Sequence, residues 1–158
     1  GGEVLYIKVA SLLRCFVSES VLFLFNISIA LLHGVSDIKF QIVAHIMDDA
    51  YDGGPHDHGT SWAIYGQAVG YTDMIEWTRV DDGSKEGIAE IEKANEYRLE
   101  RGDTGIFDDY KIHSISYPSG ARFIRITGVD LSTITRARFN PNNNTISVSK
   151  RENFTGAT

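Results

Sequence analysis

Through the middle of the chain apolar and polar residues alternate with a period of two. Phe40, Ile42, Ala44 and Ile46 interleave with Gln41, Val43, His45 and Met47, which predicts a strand with one buried face. Residues 73–80 (DMIEWTRV) and 111–117 (KIHSISY) alternate in the same way, and 121–128 (ARFIRITG) reads as a last clear strand. Residues 61–71 (SWAIYGQAVGY) are rich in strand formers, with Gly66 and Gly70 as bends or bulges. Another strand is expected at 94–99. Turn residues separate these runs at 81–84, 101–103 and 118–120. Only around 85–93 does the pattern admit a helix. Short strands at regular spacing predict an all-β sandwich or barrel.

The two ends read differently. Residues 1–35 hold an apolar run at 21–32 (VLFLFNISIALL), well short of the ~20 residues a spanning helix needs. Lys8 and Arg14 precede it as in a secretory leader, yet no small-x-small cleavage site follows. The segment reads as a buried helix or strand, as a membrane anchor or signal, or as an aberrant insertion. Residues 136–158 read as a polar tail that adds a strand at 145–149. The Asn-x-Ser/Thr triplets at Asn26, Asn143 and Asn153 are chance matches unless the chain is secreted. The expected organisation is an atypical segment over 1–35, a barrel over 36–135 and a tail over 136–158.

Composition narrows the function. At 158 residues the chain is one domain with enough length for a core. Fifteen Lys and Arg against 21 Asp and Glu give a net charge of −6, so a basic nucleic-acid footprint is missing. The single cysteine, Cys15, rules out an internal disulfide and a cysteine-rich zinc site. The expected compartment is the cytoplasm, with residues 12–34 as the one route to a membrane.

Candidate chemistry concentrates at the histidines. On a strand, His56 and His58 point to one face, and two imidazoles converging there suit a metal. A third ligand must come from elsewhere, and His113 sits on another alternating strand. Three neutral imidazoles suit Fe, Zn, Ni, Cu or Co and leave coordination positions open. The turn at 52–55 puts His56 at a strand start. Asp57 points away from the pair and would orient a turn or a neighbouring histidine. His45 reads as a partly exposed structural histidine, and His33 lies in the atypical segment. Trp62, Tyr65, Tyr71 and Trp77 line a pocket or, more plainly, form core. By parity Phe123, Arg125 and Thr127 share one face of their strand, and Arg122, Ile124 and Ile126 the other.

Gly70 follows His58 by twelve residues and Gly102 precedes His113 by eleven. This pattern resembles the two motifs of the cupin superfamily, with Ala63 at the usual Glu position and Asp108 and Tyr110 in place of the second motif's Pro and Gly. The run 55–62 (PHDHGTSW) resembles the cysteine-dioxygenase-like branch, which uses three histidines and no Glu. The resemblance covers residues 37–131. It implies an RmlC-like jelly-roll barrel with His56, His58 and His113 on Fe(II), or on Zn, Ni, Mn or Cu. It further implies dioxygen, a small thiol or carboxylate substrate, and a homodimer. The chain departs from that branch on the late strand, where Ser-x-His-x-Tyr is replaced by Phe123-Ile124-Arg125-Ile126-Thr127. The upstream arginine that holds a substrate carboxylate also has no match. Arg125 or Arg122 is the candidate replacement, an anchor inside the barrel or else a solvated surface charge, the surface reading being the better one for Arg122. Tyr110 is a second catalytic candidate, reaching the metal or standing at the rim. A non-catalytic cupin that binds a metal or a small polar ligand is the alternative.

Overall fold

The computed structural model describes residues 40–150, and every regular element in that span is a strand. The strands are β1 (Gln41–Ile46), β2 (Tyr51–Asp52), β3 (Ala63–Val69), β4 (Thr72–Arg79) and β5 (Ile91–Leu99). They continue with β6 (Thr104–Phe107), β7 (Ile112–Tyr117), β8 (Arg122–Thr127), β9 (Thr135–Asn140) and β10 (Thr145–Lys150). The first eight form two four-stranded antiparallel sheets, ordered β1-β8-β3-β6 and β2-β7-β4-β5. Apart from β4 and β5, which pair with each other, successive strands pass between the two sheets, and early strands pair with late ones, as Gln41 does with Thr127. That strand order is a jelly roll, the fold anticipated from the alternation and the motifs.

The period-two pattern fills the space between the sheets. Ala63, Tyr65, Met74, Leu99, Phe107, Tyr117, Ala121 and Phe123 form the main cluster of buried side chains. A second cluster joins Ala89, Ile91, Ile112, Ala137 and Phe139, with Trp77 and Ile146 packed against it.

Two expectations need correction. No helix forms at 85–93: Gly87 takes φ +72°, Ile88 bridges Thr145, and β5 begins at Ile91 rather than at 94. Ala89 and Ile91 alternate into the second cluster, so burial at period two outweighs helix propensity there. Residues 135–150 are a β-hairpin, not a tail with one added strand, and it buries Ala137 and Phe139. The apolar segment 1–35 with Cys15 and His33, and residues 151–158, lie outside the described residues. Among the described residues, no helix is long and apolar enough to cross a membrane.

Candidate metal centre

His56 and His113 face each other across an antiparallel bridge. Each backbone N–H donates to the other's carbonyl at 2.9 Å, which sets the two rings 4.6 Å apart. Two residues on, the His58 ring lies 4.8 Å from His113 and 5.5 Å from His56. One ligand nitrogen from each of the three falls within 4.8 Å of the others. Alternation in β7 turns His113 inward with Tyr117, and the extended stretch at His56 turns both its histidines to the same side. The structure therefore brings together the trio that the spacing predicted.

The ring nitrogens are sorted by their partners. Nδ1 of His56 donates to the Gly54 carbonyl at 3.0 Å, and Nδ1 of His113 to the Lys111 carbonyl at 3.1 Å. A carbonyl only accepts, so these bonds fix the tautomer and leave each Nε2 with a free lone pair. His113 Nε2 and His58 Nδ1 are buried with no hydrogen-bond partner among the described residues. Orphaned buried acceptors are costly, and a cation at this point would satisfy them. Burial is also the main cause lowering the pKa of all three rings, His113 to about 3. Neighbouring imidazoles and the Arg125 guanidinium push His58 and His113 the same way. Neutral imidazole is the metal-binding form, so the donor set fits a divalent metal. Ala63, where a carboxylate ligand is usual in cupins, is fully buried and offers none.

The loop carrying His56 and His58 is clamped from behind. Asp57 accepts from Gly59 N at 3.0 Å and from Ala137 N at 2.8 Å, and its own N–H donates to the Ala137 carbonyl. Phe139 N donates to the Pro55 carbonyl at 2.9 Å, and His56 bridges Arg138, so β9 runs beside the loop as an extra strand. Gly59 has φ +55°, and a Cβ there would collide with the Thr135 carbonyl. Asp57 thus orients the turn, one of its two expected roles, and reaches β9 rather than a histidine. On the other side Phe107 stacks on His113 at 4.1 Å.

Arg125 of β8 stands opposite Tyr65 of β3 in the sheet register. Its charge acts on the Tyr65 phenol and on all three imidazoles. Its Nε is buried and without a hydrogen-bond partner among the described residues. The guanidinium therefore belongs to the interior rather than to the barrel surface. Tyr110 behaves differently: its side chain is 61% exposed and makes no described contact with the three rings. Its backbone has φ +58°, the left-handed region that explains a Gly at this motif position, and its N–H donates to the Gly59 carbonyl. His45 stacks on Phe123 at 4.6 Å.

Two contributions lie beyond the site residues that the sequence singled out, Tyr65 having been offered only as a pocket or core aromatic. Tyr65, 2% exposed, places its hydroxyl 3.5 Å from His58 Nε2, and burial raises its pKa. The available signal was parity, because Tyr65 follows Ala63 by two and shares its face. Arg136 and Arg138 of β9 add positive charge that lowers the His56 pKa further, and they fell in the stretch read as a tail.

No protein-family model matches the chain. No curated protein matches it either. Solved structures do match, among them the DMSP lyase DddQ from Ruegeria pomeroyi DSS-3, at 11% identity and TM-score 0.46, over 66% of this chain and 45% of that one. The Cnp3 cupin domain of Schizosaccharomyces pombe matches at 13% identity and TM-score 0.41, over 63% and 58%. A variant oxalate decarboxylase of Bacillus subtilis matches at 14% identity and TM-score 0.43, over 70% and 24%. The chain spans less than two thirds of the length of each. The strand order, rather than these scores, carries the fold.

Proposed function

We propose that the chain is a metal-dependent cupin enzyme of the cysteine-dioxygenase-like type, with His56, His58 and His113 holding Fe(II). The observation that carries this reading is the trio itself: three converging imidazoles, two with orphaned buried nitrogens, and no carboxylate ligand among them. Iron there would supply the redox chemistry between dioxygen and a small thiol or carboxylate. The protein's part is positioning. The backbone carbonyls of Gly54 and Lys111 hold two rings in the ligating tautomer. Arg125, half-buried with its Nε enclosed, offers a guanidinium to a substrate carboxylate, which it pairs with in two-point fashion. Phe107 and Phe123 wall the interior against water and strengthen those charges.

The test is metal content by mass spectrometry, for the native chain and a His113→Ala variant. About one iron per chain, lost in the variant, is the expected result, followed by oxygen uptake with a panel of small thiols. Zinc, nickel, manganese or copper at that level would keep the centre and turn the chemistry to another class. No metal after reconstitution with Fe(II) would overturn the reading. A second reading, a non-catalytic cupin binding metal or a small polar ligand, is favoured by Phe123–Thr127, which lacks the histidine and tyrosine of the thiol dioxygenases. A metal-loaded protein with no oxygen uptake on any thiol or carboxylate would select it.

A further inference from the structure

We infer that Tyr65 is a catalytic residue of this centre, whose O–H donates a hydrogen bond to a small anion bound among His56, His58 and His113. The inference rests on the proposed metal reading and adds to it a donor that no motif names.

A buried tyrosine hydroxyl needs a partner for its lone pairs and another for its proton. Tyr65 is almost fully enclosed, with Phe107 and Phe123 rings 5.6 and 5.9 Å from its own. Arg125 stands opposite Tyr65 in the sheet register and can only donate, so toward it the phenol presents its oxygen. The phenol proton must then point elsewhere. The nearest acceptor is His58 Nε2 at 3.5 Å, long for a hydrogen bond. That acceptor disappears when the centre is filled. If His58 ligates through Nε2, the lone pair is taken. If it ligates through Nδ1, Nε2 carries the proton and can only donate. In both cases the phenol O–H is left without an acceptor among the described residues, beside the open coordination positions. A ligand atom placed there restores it. Arg125 supplies positive charge to the same spot, so the favoured ligand is an anion with an exposed acceptor atom.

The experiment uses the full chain loaded with Co(II), whose visible absorption reports on its ligands, titrated with azide as a small anionic probe. Tyr65→Phe removes only the hydroxyl. Unchanged cobalt stoichiometry with azide bound about tenfold more weakly is the expected result, the scale of one charge-assisted hydrogen bond. Met74→Leu, a packing change in the core cluster that holds Tyr65, should leave azide affinity within about twofold of the native protein if the hydroxyl rather than core packing is at issue. Equal azide affinity in Tyr65→Phe and the native protein overturns the inference alone. Loss of cobalt or of the folded state in Tyr65→Phe also overturns it, since the hydroxyl would then support the ring or the core. A native chain that takes up no cobalt overturns the metal reading, and this inference with it.

Discussion

Backbone conformation at two residues separates what the site requires from what it tolerates. Gly59 follows the second histidine at φ +55° and lies against the Thr135 carbonyl, so Gly59→Ala adds both left-handed strain and a collision with main chain. A loss of about 2 kcal/mol or more is expected in the midpoint of chemical denaturation, with metal binding weakened alongside. Tyr110 carries left-handed strain of its own at an exposed position. Tyr110→Gly should gain about 0.5 kcal/mol, relief of strain set against added chain entropy, with metal content unchanged. Destabilisation instead would show that the exposed ring has a packing role. At this scale the metal trio was legible, because i, i+2 spacing places His56 and His58 on one face and the resemblance to the cupin motifs singles out His113 as the third ligand. Parity put Arg125 beside Phe123 but did not say which face was inward. Tyr65 looked like any aromatic strand residue, since only the fold brings β8 and the histidine loop to it.

Strands β9 and β10 change the meaning of the histidine loop. Asp57 joins the two with a buried carboxylate that satisfies two backbone N–H groups. Asp57→Ala leaves both donors unpaired, and a loss of about 2–4 kcal/mol is expected by denaturation. Metal affinity should fall about tenfold or more, since the loop is no longer held. Asp57→Asn keeps an acceptor oxygen and should recover much of both. Equal metal affinity in the alanine variant would show that the loop is held well enough without β9. The hairpin escaped the sequence pattern for a physical reason. Its strands present few apolar positions, Ala137, Phe139 and Ile146, around a polar turn at 140–144. Their partners, Ile91, Ile112 and the His56 loop, lie far away in sequence. Local alternation marks strands with an apolar face, which is why β4, β7 and β8 were clear; β1 was clear as a strand although none of its residues is buried, and Phe40 and Ile46 of its expected inner face are exposed.

The folded molecule keeps three imidazoles neutral in its interior, and this sets its response to acid. Each has a folded pKa below the unfolded value of about 6.5, so the folded state binds fewer protons than the unfolded one. The stability they contribute is present above about pH 6.5 and is lost as pH falls below it, toward about 3 for His113. His113 lowers stability by about 1.4 kcal/mol per pH unit in that range, and His56 and His58 act in the same direction. Urea denaturation of the metal-free protein should therefore show a midpoint falling steeply below pH 6.5. The slope should be shallower in His113→Ala. An equal slope would show that His113 stays protonated when folded.

Order of synthesis adds a constraint at the same scale. The ribosome releases residues 56–58 and 113 well before it finishes the hairpin at 135–150, which closes over the loop. A chain with all three ligands already made still lacks the strand that braces two of them. At translation rates of about 5–20 residues per second, that interval lasts on the order of seconds. A cation captured then would meet an unbraced set and be held loosely. Firm retention begins only when nearly the whole described fold has emerged, so a nascent chain is protected from locking in a metal before its barrel is complete.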